Sequence, residues 1–120
     1  MILVLPNPIS NNAKANVVGG KLYTTKKTNS FKKEVGWLAK ASRCKMLTGN
    51  VSVSIDYHPR QNLDGSASES RLDIDNIPKV LFDALKGIAW VDDKQVTKLF
   101  IQIASPKPDG GLTVIIEGIA

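Results

Sequence analysis

Val51-Ser52-Val53-Ser54-Ile55-Asp56-Tyr57-His58 alternates apolar and polar residues without a break. Successive side chains of a β-strand point to opposite faces, so this stretch predicts a half-buried strand with Val51, Val53, Ile55 and Tyr57 on its core side. The Gly49-Asn50 pair breaks the chain just before it. Upstream, Ser30 suits an N-cap, and Phe31, Val35, Leu38, Ala39 and Met46 recur at helical spacing. A helix is therefore expected from Ser30 to about Met46, with Trp37 in the core. Downstream, Ile77, Val80, Leu81, Ala84 and Leu85 mark the buried face of a second helix, from about Asn76 to Lys86. Asp75 is placed as its N-cap, Pro78 falls in the first turn where no intrahelical donor is needed, and Gly87 ends it.

The flanks complete the pattern. Ile2–Leu5 reads as a short buried strand stopped by Pro6 and Pro8, and residues 6–20 as a polar loop. Lys21–Thr24 reads as a brief strand, and Arg60–Ser70 as a flexible, serine-containing loop. Val96–Ala104 and Leu112–Ile119 read as two more strands, with Pro106, Pro108, Asp109, Gly110 and Gly111 forming a hairpin turn between them. Strands and helices are mixed without regular βαβ repetition, which implies an α+β fold with a small mixed sheet and two main helices. A chain of 120 residues is expected to form one domain, residues 1–120, with oligomerisation as a ready way to bury more surface.

Composition narrows the chemistry. One cysteine, Cys44, and one histidine, His58, exclude an internal disulfide and a zinc site built from His and Cys. The apolar start is cut at Pro6, far short of a signal-peptide core or a membrane span, so a soluble, cytoplasmic protein is expected. The net charge of +5 is unevenly spread. Residues 1–58 hold nine Lys/Arg and two acids, whereas residues 59–120 hold seven Lys/Arg and nine acids, seven of them from Asp64 to Asp93. Basic surface attracts polyanions such as nucleic acid, and carboxylates beside phosphate repel it unless a cation lies between them.

The informative segment is Arg71-Leu72-Asp73-Ile74-Asp75-Asn76-Ile77-Pro78-Lys79, followed by Trp90-Val91-Asp92-Asp93. In an extended chain Asp73 and Asp75 would point to one side. Two close carboxylates repel each other unless neutralised, and Mg²⁺ suits them because it takes one or two carboxylates, several waters and phosphate oxygens. Lys79, one helical turn beyond Asp75, is placed to stabilise charge on a phosphate. The structural alternative is an N-cap, Asp75, with an i,i+4 ion pair to Lys79. Trp90 reads as packing rather than as a base-stacking platform. Lys14, Lys21, Lys26, Lys27, Arg71, Asn11 and Asn12 are candidate DNA contacts.

At this level the sequence resembles the RusA family of phage and prophage Holliday junction resolvases. The resemblance lies in Asp73-x-Asp75-Asn76-x-x-Lys79-x-x-x-Asp83-Ala84-Leu85, then Asp92-Asp93-x-Gln95, preceded by Pro6-x-Pro8-x-Ser10-Asn11-Asn12. It implies a homodimeric crossover junction endodeoxyribonuclease, using Mg²⁺ or Mn²⁺ to place paired nicks in four-way or other branched DNA during recombination and repair. Asp73, Asp75 and Asp93 match the family's catalytic, metal-binding carboxylates, Lys79 its catalytic lysine, and Asp92 the neighbouring acid. The loop before Asp73 departs from the pattern, carrying Asp64 and Glu69 where members are basic. That departure favours a rival reading, a non-catalytic DNA-binding accessory protein that keeps the fold. The segment Gly87–Val91 is long enough to return Asp93 toward Asp73, so closure of the site within one chain is expected over a site shared between subunits.

Overall fold

The alternating stretch is a strand, and it is central. The computed structural model describes residues 1–8, 15–18, 21–24 and 26–120, with only the backbone described for 15–18, 21–24 and 26–29. The strands are β1 (Ile2–Leu5), β2 (Ala15–Val18), β3 (Lys21–Thr24), β4 (Asn50–His58), β5 (Val96–Ile103) and β6 (Gly111–Ile119), and the helices are α1 (Lys26–Ala41) and α2 (Ile77–Leu85). β1, β6, β4 and β5 form one mixed sheet in that order, while β2 and β3 pair as a separate antiparallel ribbon. β2 lies inside the stretch expected to be loop, because four residues between polar and glycine-rich flanks carry too short a pattern to read.

On β4, Val51, Val53, Ile55 and Tyr57 are buried, and the residues between them are only partly so. They meet Leu3 and Leu5 of β1, Val114 and Ile116 of β6, Phe31, Val35 and Ala39 of α1, and Ile77, Leu81 and Leu85 of α2 in one core. The helices thus cover one face of the sheet, as expected of an α+β domain. β4 and β5 run parallel, and residues 59–95 between them carry α2 across that covered face.

Both boundaries of α1 differ from expectation. α1 begins at Lys26, so Ser30 is an exposed residue inside the helix and not its N-cap. It ends at Ala41 because Arg43 adopts a left-handed conformation (φ 58°). Arg43 N–H donates to Lys40 O and Cys44 N–H to Ala39 O, the two-bond closure usually made by glycine. Met46 therefore lies beyond the helix, exposed. Trp37 is 69% exposed rather than in the core.

The β5–β6 connection is not a hairpin. β6 and β5 flank β4, so residues 104–110 cross the end of β4 instead of turning back on β5. His58 pins that crossing, donating from Nδ1 to Ser105 O at 2.8 Å with Nε2 3.0 Å from Thr113 Oγ1. Gly111 (φ 148°) makes the entry to β6 possible, since a Cβ there would lie 2.9 Å from Leu5 O.

Candidate active site

Asp73 and Asp75 reach the surface because their neighbours are anchored. Leu72 and Ile77 are buried on either side, and Leu72 N–H donates to the Tyr57 hydroxyl oxygen at 3.3 Å. The residues between are held outward, with Asp73, Ile74 and Asp75 all exposed. Asp73 is extended (φ −65°, ψ 143°), but Ile74–Asn76 forms a single 3₁₀ turn closed by Asn76 N–H on Asp73 O. About three residues complete such a turn, so Asp73 and Asp75 do not share one side in the manner of an extended strand. They occupy neighbouring positions around a turn.

The cap position of α2 is Asn76, without a side-chain cap bond, and not Asp75. Asp75 Oδ1 only meets Asn76 Nδ2, at 3.5 Å. Lys79 follows one turn later, exposed, and among the described residues it forms no ion pair with Asp75. The structural alternative, a cap plus an ion pair, is realised in neither half.

The second carboxylate segment is tightly built. Residues Asp93–Gln95 make another 3₁₀ turn, capped by Asp92, whose carboxylate accepts from Lys94 N–H at 2.9 Å. Gln95 Oε1 accepts from Val91 N–H (2.9 Å) and Asp92 N–H (3.0 Å). Its Nε2 donates to Leu47 O (2.8 Å) and Gly49 O (3.0 Å), tying the turn to the start of β4. Gln95 stood in the quoted motif, but its clamping role is invisible in sequence because two of its four partners lie more than forty residues upstream. Gln95→Ala leaves those partners short of a bond and is expected to lower unfolding free energy by about 2 kcal/mol, read by urea denaturation.

Asp93 is half-buried and accepts from the Trp90 indole N–H at 2.7 Å through Oδ1. Trp90 itself is fully buried, edge-on to Phe82 with ring centroids 5.4 Å apart. Its packing role is as expected, and its N–H fixes the carboxylate of Asp93 as well.

The expected three-carboxylate centre does not close within this chain. Among the described residues no three His, Cys, Asp or Glu side chains are placed to hold a metal ion together. What the donor set does fit is a smaller site. Asp73 and Asp75 are hard oxygen ligands on one exposed turn, and Mg²⁺ needs no more than one or two carboxylates when waters and phosphate oxygens complete its shell. Asp93, turned to Trp90, is not part of that pair.

Of the candidate DNA contacts, Arg71 is exposed, with Nη1 donating to Leu72 O at 3.4 Å. Asn11, Asn12 and Lys14 lie outside the described residues, and the side chains of Lys21, Lys26 and Lys27 lie outside them too. The loop before Asp73 is ordered rather than flexible: Asn62 N–H donates to Ser66 O and Ser68 N–H to Arg60 O. Asp64 Oδ1 accepts from the Ser66 hydroxyl (2.6 Å) and Ser66 N–H (3.0 Å), which hold its carboxyl below the usual carboxylate range. Burial pushes the Cys44 thiol up, against a smaller opposite pull from the N-terminal amine. Among the described residues no helix is long and apolar enough to cross a membrane.

A family model described as endodeoxyribonuclease RusA matches residues 6–117. No match is found among curated proteins.

Proposed function

The chain belongs to the RusA endodeoxyribonuclease family, and from that premise we propose that it resolves Holliday junctions by paired, symmetric nicks, with Mg²⁺ as cofactor and Mn²⁺ as a substitute. The observation that carries this reading is the exposed Asp73–Asp75 turn, whose carboxylates neither cap α2 nor pair with Lys79. A bound divalent ion would polarise the scissile phosphate and lower the pKa of an attacking water. Asp73 and Asp75 would hold it. The Lys79 side chain, exposed on the first turn of α2, would offset charge developing on the phosphate oxygens. Asp93, held by Trp90, stands outside that pair and is a further carboxylate that the assembled enzyme could bring to the phosphate.

Paired nicks need two centres, and the homodimer is part of this proposal. Among the described residues β5 is an edge strand with unpaired backbone on one side, and it exposes Leu99 (45%), Phe100 (57%) and Ile103 (40%). A second copy pairing there antiparallel would cover these residues and relate the two sites by a two-fold axis. Leu99→Asp with Ile103→Asp is expected to convert a dimer to a monomer by analytical ultracentrifugation and to abolish symmetric pairing of cuts.

The test of the function is a nicking assay on a mobile four-way junction with Mg²⁺, Mn²⁺ or chelator. Symmetric incisions that vanish with chelator are expected. Cleavage of flaps or other branched DNA in preference to four-way junctions would move the assignment to a different branched-DNA nuclease. Junction binding without nicking, equal in wild type and Asp73→Asn, would support the accessory-protein reading that the acidic loop of Asp64 and Glu69 favours.

A further inference from the structure

α1 buries Phe31, Val35 and Ala39 along one side, and on an adjoining side a Cβ at Gly36 would come within 3.3 Å of Ile88 Cδ1. The opposite side presents Lys33, Trp37 and Lys40, all exposed. These fall at i−4, i and i+3, which are neighbours on a helix surface. Lys33 and Lys40 stand about 10 Å apart along the axis, at 1.5 Å per residue. Among the described residues no carboxylate pairs with either lysine. Glu34, the one acid of the helix, lies on the other flank of Trp37.

A lone exposed apolar residue needs no explanation, but an indole set between two unneutralised ammonium groups has a specific complement. We propose that this face of α1 is a DNA-contacting surface, with Lys33 and Lys40 on phosphates and Trp37 stacked on a base face left unstacked at the branch point. The proposal rests on the branched-DNA reading above and gives it a surface separate from the carboxylates. Charge selects the partner class. Lysines at this spacing attract a polyanion and repel a basic one, and the basic half of the chain, residues 1–58, holds this helix. The aromatic ring selects unstacked bases, since a base inside a continuous duplex offers no free π-face.

The experiment is equilibrium binding in chelator, so that nicking plays no part, on a four-way junction and on a fully paired duplex of the same length. Trp37→Ala is expected to weaken junction binding roughly 5- to 150-fold, with a much smaller loss on duplex. Trp37→Phe should retain most of the affinity. Lys33→Ala with Lys40→Ala should reduce the slope of log affinity against log salt by about 1.8, equally on both DNAs. Circular dichroism and sedimentation of each variant accompany the isotherms. Unchanged junction affinity in folded Trp37→Ala would overturn the proposal, as would an altered oligomeric state, which would assign the face to a second copy. Wild type that binds junctions through Trp37 but never nicks them would sink the nuclease reading and leave this surface standing.

Discussion

Asp75→Asn is expected to reduce junction nicking at least a hundredfold while leaving the fold and junction binding close to wild type. The residue is exposed and does not cap α2, so the usual loss of about 1 kcal/mol for removing a cap does not apply. Surface changes of this kind stay within about 0.5 kcal/mol. Activity is another matter. Groups that merely orient a metal ligand cost about 10- to 100-fold when changed, and a direct ligand should cost more. Asp92 provides the contrast. Its carboxylate caps the Asp93–Gln95 turn, so Asp92→Ala should lower stability by about 1 kcal/mol and nicking only modestly. Urea denaturation beside a nicking time course separates the two. A stable Asp92→Ala that cannot nick, next to an active Asp75→Asn, would exchange the two roles.

Trp90→Ala is expected to have the largest effect on stability, about 3–5 kcal/mol. The side chain is fully buried, stacks edge-on with Phe82, and is among the largest groups in the core. Domains of this size are stable by only about 5–15 kcal/mol, so the variant should be partly unfolded at physiological temperature. Trp90→Phe is the informative partner. It restores much of the volume but removes the N–H that Asp93 accepts, so the fold should survive while the half-buried Asp93 carboxylate loses its fixed direction. Nicking should then fall more than stability does. If Trp90→Phe nicks at the wild-type rate, the orientation of Asp93 by the indole has no functional weight.

What sequence could read was governed by how local the cause was. The alternation on β4 and the helical spacing on α2 are local patterns, and both elements lie within a residue or two of where they were placed. α1 ran short of its expected end because Arg43 takes a conformation that glycine usually marks, and no residue type announced it. Pro106 to Gly111 signalled a reversal of the chain, but which strand lies beside β5 depends on β4, more than forty residues upstream of it. Asp73, Asp75 and Lys79 are on the surface, and the 3₁₀ turn that presents the two carboxylates follows from the anchoring of Leu72 and Ile77, a tertiary fact. The bond from Trp90 to Asp93 joins residues three apart, but it exists only because a buried core forces the indole to find an acceptor there.

The parallel pairing of β5 with β4 also orders events in time. Strands joined by short turns can meet early, whereas pairing β5 with β4 closes a loop of 37 residues, 59–95, that carries α2. The Asp93 segment lies immediately before β5, so its place depends on that long-range pairing. Loss of that one pairing would free the Asp93 segment while Leu72 and Ile77 still anchor the Asp73–Asp75 turn.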